Sequence, residues 1–182
     1  MGRASVSRSP HEKPREANQS GTSTTETAFT SDGTIPVVLD LPTAGELANT
    51  NGPTTAIFKV RAYGRVTGGT TTNFTAVLYS GTSATLSSNT AIETSGAVAV
   101  NSISTNWALE TTIVWDTTSD EMHGRGWGMV DDTVTAVAAL TNSPTSVDPA
   151  GDTSLGFVVS WQFSAGNASN EAVLDGFVLE VL

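Results

Sequence analysis

From Ser23 onward, apolar and polar side chains alternate in short runs, and Gly, Pro, Asn and Asp cluster between them. Alternation of period two sends successive side chains to opposite faces of an extended chain. It predicts strands at 23–30, 35–41, 55–66, 73–80, 96–103, 106–116, 122–130, 133–141, 154–164 and 172–182. In 106–116, Trp107, Leu109, Thr111, Ile113 and Trp115 share one face, while Ala108, Glu110, Thr112, Val114 and Asp116 share the other. Leu155, Phe157, Val159, Trp161 and Phe163 form an unbroken apolar face. Val173, Phe177, Leu179 and Val181 form another, interrupted by Asp175. The one helical hint is a single turn at 44–50. Short strands at close spacing predict an all-β chain folded as an antiparallel β-sandwich, and the strand count suits a jelly roll. The alternation carries no information about strand order.

The first 21 residues read differently. Beyond Met1 they hold one apolar side chain of any size, Val6, with two prolines and mixed charges. Such a segment buries too little to order itself. The chain therefore divides into an extended N-terminal arm, 1–21, and a β-sandwich domain, 22–182. The arm is expected to be held by a neighbouring subunit. Arg3, Arg8, Lys13 and Arg15 are half of the chain's eight positive charges, which makes them candidate partner-binding residues. The body is the reverse: Lys59, Arg61, Arg65 and Arg125 stand against sixteen carboxylates. An acidic body is repelled by nucleic acid and by anionic membranes, so neither is an expected partner.

Charged residues are only 14% of the chain, and threonine fills the gap with 29 positions, which favours pleated, hydroxyl-covered faces. With no cysteine, disulfides, thiolate catalysis and Cys-based zinc sites are excluded. No run approaches the roughly 20 apolar residues of a membrane helix, and the N-terminus shows no secretory signal. The Asn-x-Ser/Thr triplets at Asn18, Asn73 and Asn167 are chance matches in a Thr- and Ser-rich chain.

The stretch HGRGWG puts His123, Arg125 and Trp127 on one side of a strand and Gly124, Gly126 and Gly128 on the other. These three side chains are the candidate ligand-binding residues. The competing reading is that the glycines admit a close neighbour, a tryptophan from another element, and that the stretch is the middle strand of a meander over 106–141. A catalytic His123 would need an orienting carboxylate and a nucleophile, and no such constellation can be assembled. The expectation is no enzyme, no catalytic residues, no cofactor and no metal. Asp131, Asp132, Asp148 and Asp152 offer hard oxygens for calcium, but solvated turn carboxylates explain them better. The segment 64–74 reads as a hairpin tip with Gly68-Gly69 supplying positive φ, without a phosphate-binding Lys-Ser/Thr. Lys59, Arg61 and Arg65 share one strand face and should pair with the acidic body or face a subunit.

Residues 106–182 resemble a group of small tailed-phage virion proteins. The resemblance rests on NWALETTIVWDTTSDEMHG, on TAVAALTN and on VDPAGDTSLGFVVSWQFSAGNASNEAVLDGFVLEVL, with upstream support from FKVRAYGRVTGGTTTNFTAVLYSGTS. It implies a β-sandwich or jelly-roll protein that coats heads or builds fibres and tail parts, and it brings no catalytic residues. The expected function is a head decoration (cement) protein on the virion's capsid surface. Its partners would be the major capsid protein and copies of itself, as a homotrimer. The other expectation is a carbohydrate- or receptor-binding module of a fibre or tail tip.

Overall fold

The computed structural model describes residues 11–13, 17–20, 24–30, 38–40, 55–69, 72–81, 83, 85–116, 121–130, 133–135 and 156–182. The described strands are β1 (His11–Lys13), β2 (Ala17–Ser20), β3 (Thr27–Ala28), β4 (Val38–Asp40), β5 (Thr55–Thr67), β6 (Thr72–Ser80) and β7 (Thr90–Thr94). They continue with β8 (Val98–Val100), β9 (Thr105–Asp116), β10 (Glu121–Val130), β11 (Thr133–Thr135), β12 (Gly156–Phe163) and β13 (Glu171–Val181). Among the described residues the one helical element is a short 3₁₀ turn, Leu86–Ser88. The single turn expected at 44–50, the carboxylates Asp131, Asp132, Asp148 and Asp152, and residues 136–141 of the meander lie outside the described residues.

Two antiparallel sheets form a β-sandwich. The larger, seven-stranded sheet runs β1-β13-β5-β9-β10-β11, with β2 also on β13. The smaller, six-stranded sheet runs β3-β12-β6-β7, with β4 also on β12 and β8 also on β6. The short strands share edges: β1 and β2 follow one another along β13, β3 and β4 along β12, and β7 and β8 along β6. With each such pair counted as one, and β10-β11 set aside as an annex beyond β9, eight strands remain. The first then pairs with the eighth, the second with the seventh, the third with the sixth and the fourth with the fifth. A long hairpin rolled up on itself has this pairing.

The core lies between the sheets and is aromatic at its centre. Phe29 stacks on Trp107 at 5.7 Å, Phe74 tilts against Trp107 at 5.9 Å and against Phe163 at 5.5 Å, and Trp161 meets Phe163 edge-on at 5.6 Å. Leu109, Thr111 and Ile113 join Trp107 on the buried face of β9, as the alternation predicts. Phe157, Val159, Trp161 and Phe163 do the same on β12. Each buried ring contributes roughly 1.5–3 kcal/mol relative to exposure. The Trp107 indole N–H donates to the Val173 carbonyl at 3.1 Å. Gly64 admits that ring: a Cβ there would lie 1.8 Å from the same carbonyl oxygen and 3.0 Å from the indole nitrogen.

Three expectations change. The face Val173-Asp175-Phe177-Leu179 is not continuous, because β13 carries an extra residue, Asp175, where its pairing with β5 shifts between Leu174 and Gly176. A one-residue slip reverses which side chains face inward. Ala172 and Leu174 enter the core before the bulge, Phe177 and Leu179 after it, and Val173 takes the register position opposite Arg65 on the other face. Second, 64–74 is no hairpin tip: β5 and β6 belong to different sheets. The positive-φ glycines among the described residues are Gly81 and Gly96, not Gly68 and Gly69. Gly68 instead packs against Val100 and Gly69 against Asn167, and Asn170 accepts from the Gly69 N–H at 3.0 Å. Third, two stretches of the N-terminal segment are strands. Residues 11–13 pair with 177–179, and residues 17–20 with 171–174, so both lie along this chain's own β13.

Candidate functional site on the outer face of the larger sheet

The registers across β5, β9 and β10 set out the solvent face of the larger sheet row by row. Lys59 lies opposite Thr112, and Thr112 opposite Arg125. In the next row come Arg61, Glu110 and Trp127, then Tyr63, Ala108 and Met129. Arg65 lies opposite Asn106 and, on the other side, Val173. All four cations of residues 17–182 therefore share this face with two aromatic side chains, on a body whose remaining charge is negative. Tyr63 is exposed, Arg125 is exposed and Trp127 is half-buried.

Three of the four cations meet carboxylates on the same face. Arg61 forms an ion pair with Glu110, and Lys59 approaches the same carboxylate at 3.6 Å. Arg65 grips Asp175 with two hydrogen bonds, from Nε at 2.9 Å and Nη2 at 2.8 Å. The bulge that displaces Asp175 from the apolar alternation brings its carboxylate to this arginine. Exposed pairs of this kind contribute about 0.2–1 kcal/mol each, so they order the face more than they stabilise the fold. Arg125 makes no ion pair among the described residues, and it stands one row from Trp127.

Arg125 and Trp127 are thus brought together on one exposed face. His123 occupies the register position opposite Val114 on the same strand, and its side chain lies outside what the structure describes. Gly126 and Gly128 of HGRGWG have a reason other than the expected tryptophan. A Cβ on Gly126 would meet the Glu110 carbonyl oxygen at 2.3 Å, with Glu93 Oε2 and Thr111 Oγ1 each at 2.5 Å. One on Gly128 would meet Ser95 Cα at 2.4 Å. The covering element is the end of β7, reaching across from the smaller sheet. Of the arm's candidates, Lys13 is the register partner of Phe177, and Arg3, Arg8 and Arg15 lie outside the described residues.

On the smaller sheet, Glu26 gathers two hydroxyls. Tyr79 donates to Glu26 Oε1 at 2.8 Å, and Ser160 donates to the same oxygen. Burial, then the adjoining carboxylate, pushes the Tyr79 phenol up to about 12, so it is a neutral donor across the physiological range. Among the described residues the serine has no base beside it other than this carboxylate, and Ser160 itself is fully buried. Among the described residues no group of three or more His, Asp or Glu is placed to hold a metal ion. None of their helices is long and apolar enough to cross a membrane.

Tyr63 and Glu110 belong to the site although they were not singled out from the sequence. Both share the period-two face of a cation already noted, and that was the available signal. No protein-family model matches the chain, and no curated protein does. Among solved structures, an endo-1,3-beta-glucanase from Streptomyces sioyaensis is similar at 12% identity and a TM-score of 0.33. The match covers 70% of this chain and 64% of the glucanase chain. At that likeness nothing about activity passes from that enzyme to this chain.

Proposed function

We propose that this protein is a non-catalytic component of a phage virion surface, a head decoration protein that binds the major capsid protein and copies of itself as a trimer. The observation that carries the reading is the strand pairing of one with eight, two with seven, three with six and four with five. We read it as a jelly roll, an architecture that viral capsid and lectin domains use. The residues that resemble virion proteins fall largely on β9, β12 and β13, three of the strands in this arrangement, and on the start of β10 beside them. Attachment would run through the basic N-terminal segment, with Arg3, Arg8, Lys13 and Arg15 as its contacts. A protein that binds only the assembled shell stabilises that shell by mass action.

The deciding experiment is quantitative mass spectrometry of purified particles, combined with capsid binding by a chain lacking residues 1–20. Hundreds of copies in fixed ratio to the capsid protein, and loss of binding on truncation, support the reading. Absence from the particle, or undiminished binding by the truncated chain, overturns it.

One observation favours a second reading, a glycan-binding module of a fibre or tail tip. Trp127, Arg125 and Tyr63 lie on one accessible sheet face, where a ring can stack on a sugar and a guanidinium can reach its hydroxyls. Glycan-array binding that disappears in Trp127→Ala would support it, and a blank array with the wild-type chain would remove it.

A further inference from the structure

The contact between β7 and β10 contains a carboxyl group that the surface readings leave unused. Glu93 is 4% exposed. It reaches the interior through a bulge: Leu78 pairs with Glu93 but Tyr79 pairs with Ala91, so Ile92 is an extra residue in β7. The bulge breaks the alternation, and the adjacent side chains of Ile92 and Glu93 are both buried. One carboxyl oxygen, Oε1, accepts from the Thr94 N–H at 3.1 Å. The other, Oε2, is buried with no hydrogen-bond partner, and so is Thr111 Oγ1. Both atoms lie 2.5 Å from the point where a Cβ of residue 126 would sit. Glycine at 126 keeps that space open, and Gly128 lets the backbone of Ser95 close over the neighbouring position.

No charge faces this carboxyl from any described element around it. The inward positions of β10 beside it are Gly124, Gly126 and Gly128, with the apolar Val130 beyond them. Those of β9 beside it are Leu109, Thr111 and Ile113. Its partner on β6 is Leu78. Glu110 and Arg125 are neighbours in the ladder, but their side chains lie on the opposite face, where Glu110 is bound by Arg61 and Lys59.

We propose that Glu93 is a pH-operated latch between the two sheets. As a neutral acid it shares the niche over Gly126 with the Thr111 hydroxyl and lets Glu93–Ser95 lie flat on β10. As an anion it has no counter-charge there, and it leaves the interior, lifting the β7 edge from the glycine face. Burial raises its ionisation above the ordinary carboxylate value, with the Thr94 N–H opposing in part. A raised folded-state pKa means the contact is complete below the unfolded value and is lost as pH rises through the folded one.

The test is hydrogen exchange of the full-length chain, followed by peptide across a pH series and corrected for intrinsic exchange. A carbon-13 titration of the Glu93 carboxyl in the wild-type protein runs beside it. The expected result is a fall of at least about tenfold in protection at 90–96 and 124–130, in step with Glu93 ionisation. Glu93→Gln, which keeps the shape without the charge, is expected to hold its protection across the same range. Glu93 titrating near 4.5, the ordinary value, with protection unchanged overturns the latch. So does wild-type protection that stays constant while the carboxyl ionises. The wild-type titration decides the matter even if Glu93→Gln fails to fold.

Discussion

Gly128 and Gly176 differ in what an added side chain would meet, and substitution separates them. At Gly128 an added methyl would meet backbone, with Ser95 Cα at 2.4 Å and the Thr94 carbonyl oxygen at 2.9 Å, and neither can move without shifting β7. At Gly176 it would meet the ring of Tyr63, which is 44% exposed and free to swing outward. Gly128→Ala is expected to cost about 2 kcal/mol or more, as overpacking against a fixed chain does, and Gly176→Ala less than about 1 kcal/mol. Denaturant unfolding of the two variants checks the contrast. Equal losses would mean that Tyr63 is as firmly held as the β7 backbone. Tyr79 offers a second test. Its raised phenol pKa means that stability from its neutral form is present below 10 and lost as pH climbs toward about 12. Ultraviolet titration should show one late tyrosine, and Glu26→Gln should bring it part of the way back, since burial is the larger cause and remains.

Among the strands, the bulges are where pattern and structure part. At Asp175 the extra residue reverses the buried face of β13 and delivers a carboxylate to Arg65. At Ile92 it turns Glu93 inward. Asp175→Ala is expected to cost no more than about 1 kcal/mol, and less at high salt, because the pair is exposed. Salt-dependent melting curves measure this. The N-terminal strands matter in another way. With β1 and β2 in place, β13 is covered on its outer edge. Removing residues 1–20 uncovers a long edge with unpaired N–H and C=O groups. The truncated chain should keep its far-ultraviolet β signature yet self-associate, which light scattering after gel filtration will report. A monomer at all concentrations would show that this edge needs no cover.

Across the described residues, most pairings join residues distant in sequence: β5 with β9, β13 with β5, β12 with β6 and, through the arm, β1 and β2 with β13. Closing such loops costs entropy before any contact repays it, so refolding is expected in milliseconds to seconds rather than microseconds. Stopped-flow fluorescence of Trp107 and Trp161, both buried in the core, would follow it. The charge distribution is also a property of the whole. Lys59, Arg61 and Arg65 share a strand face in a linear reading, and antiparallel pairing of β5, β9 and β10 adds the distant Arg125 to that face.

Strand existence was legible because side-chain alternation is a local property: β5, β6, β9, β10, β12 and β13 follow the period-two runs to within a residue or two. The buried faces of β9 and β12 were legible for the same reason, and the turn residues between β9, β10 and β11 made their meander legible. β7 was not, since TAIET is short and its bulge puts two buried side chains in succession. The identity of what covers Gly126 and Gly128 was hidden too. Glu93 lies more than thirty residues away in the chain, and no local pattern marks a carboxyl for burial. Hydrophobic period sets which stretches extend and which face seeks the core, because those choices depend on neighbours along the backbone. Strand partners, bulge positions and the meeting of Glu93 with Thr111 arise from packing two sheets at close range. Burial there is decided by whichever distant segment fits, and the chain's own order does not record it.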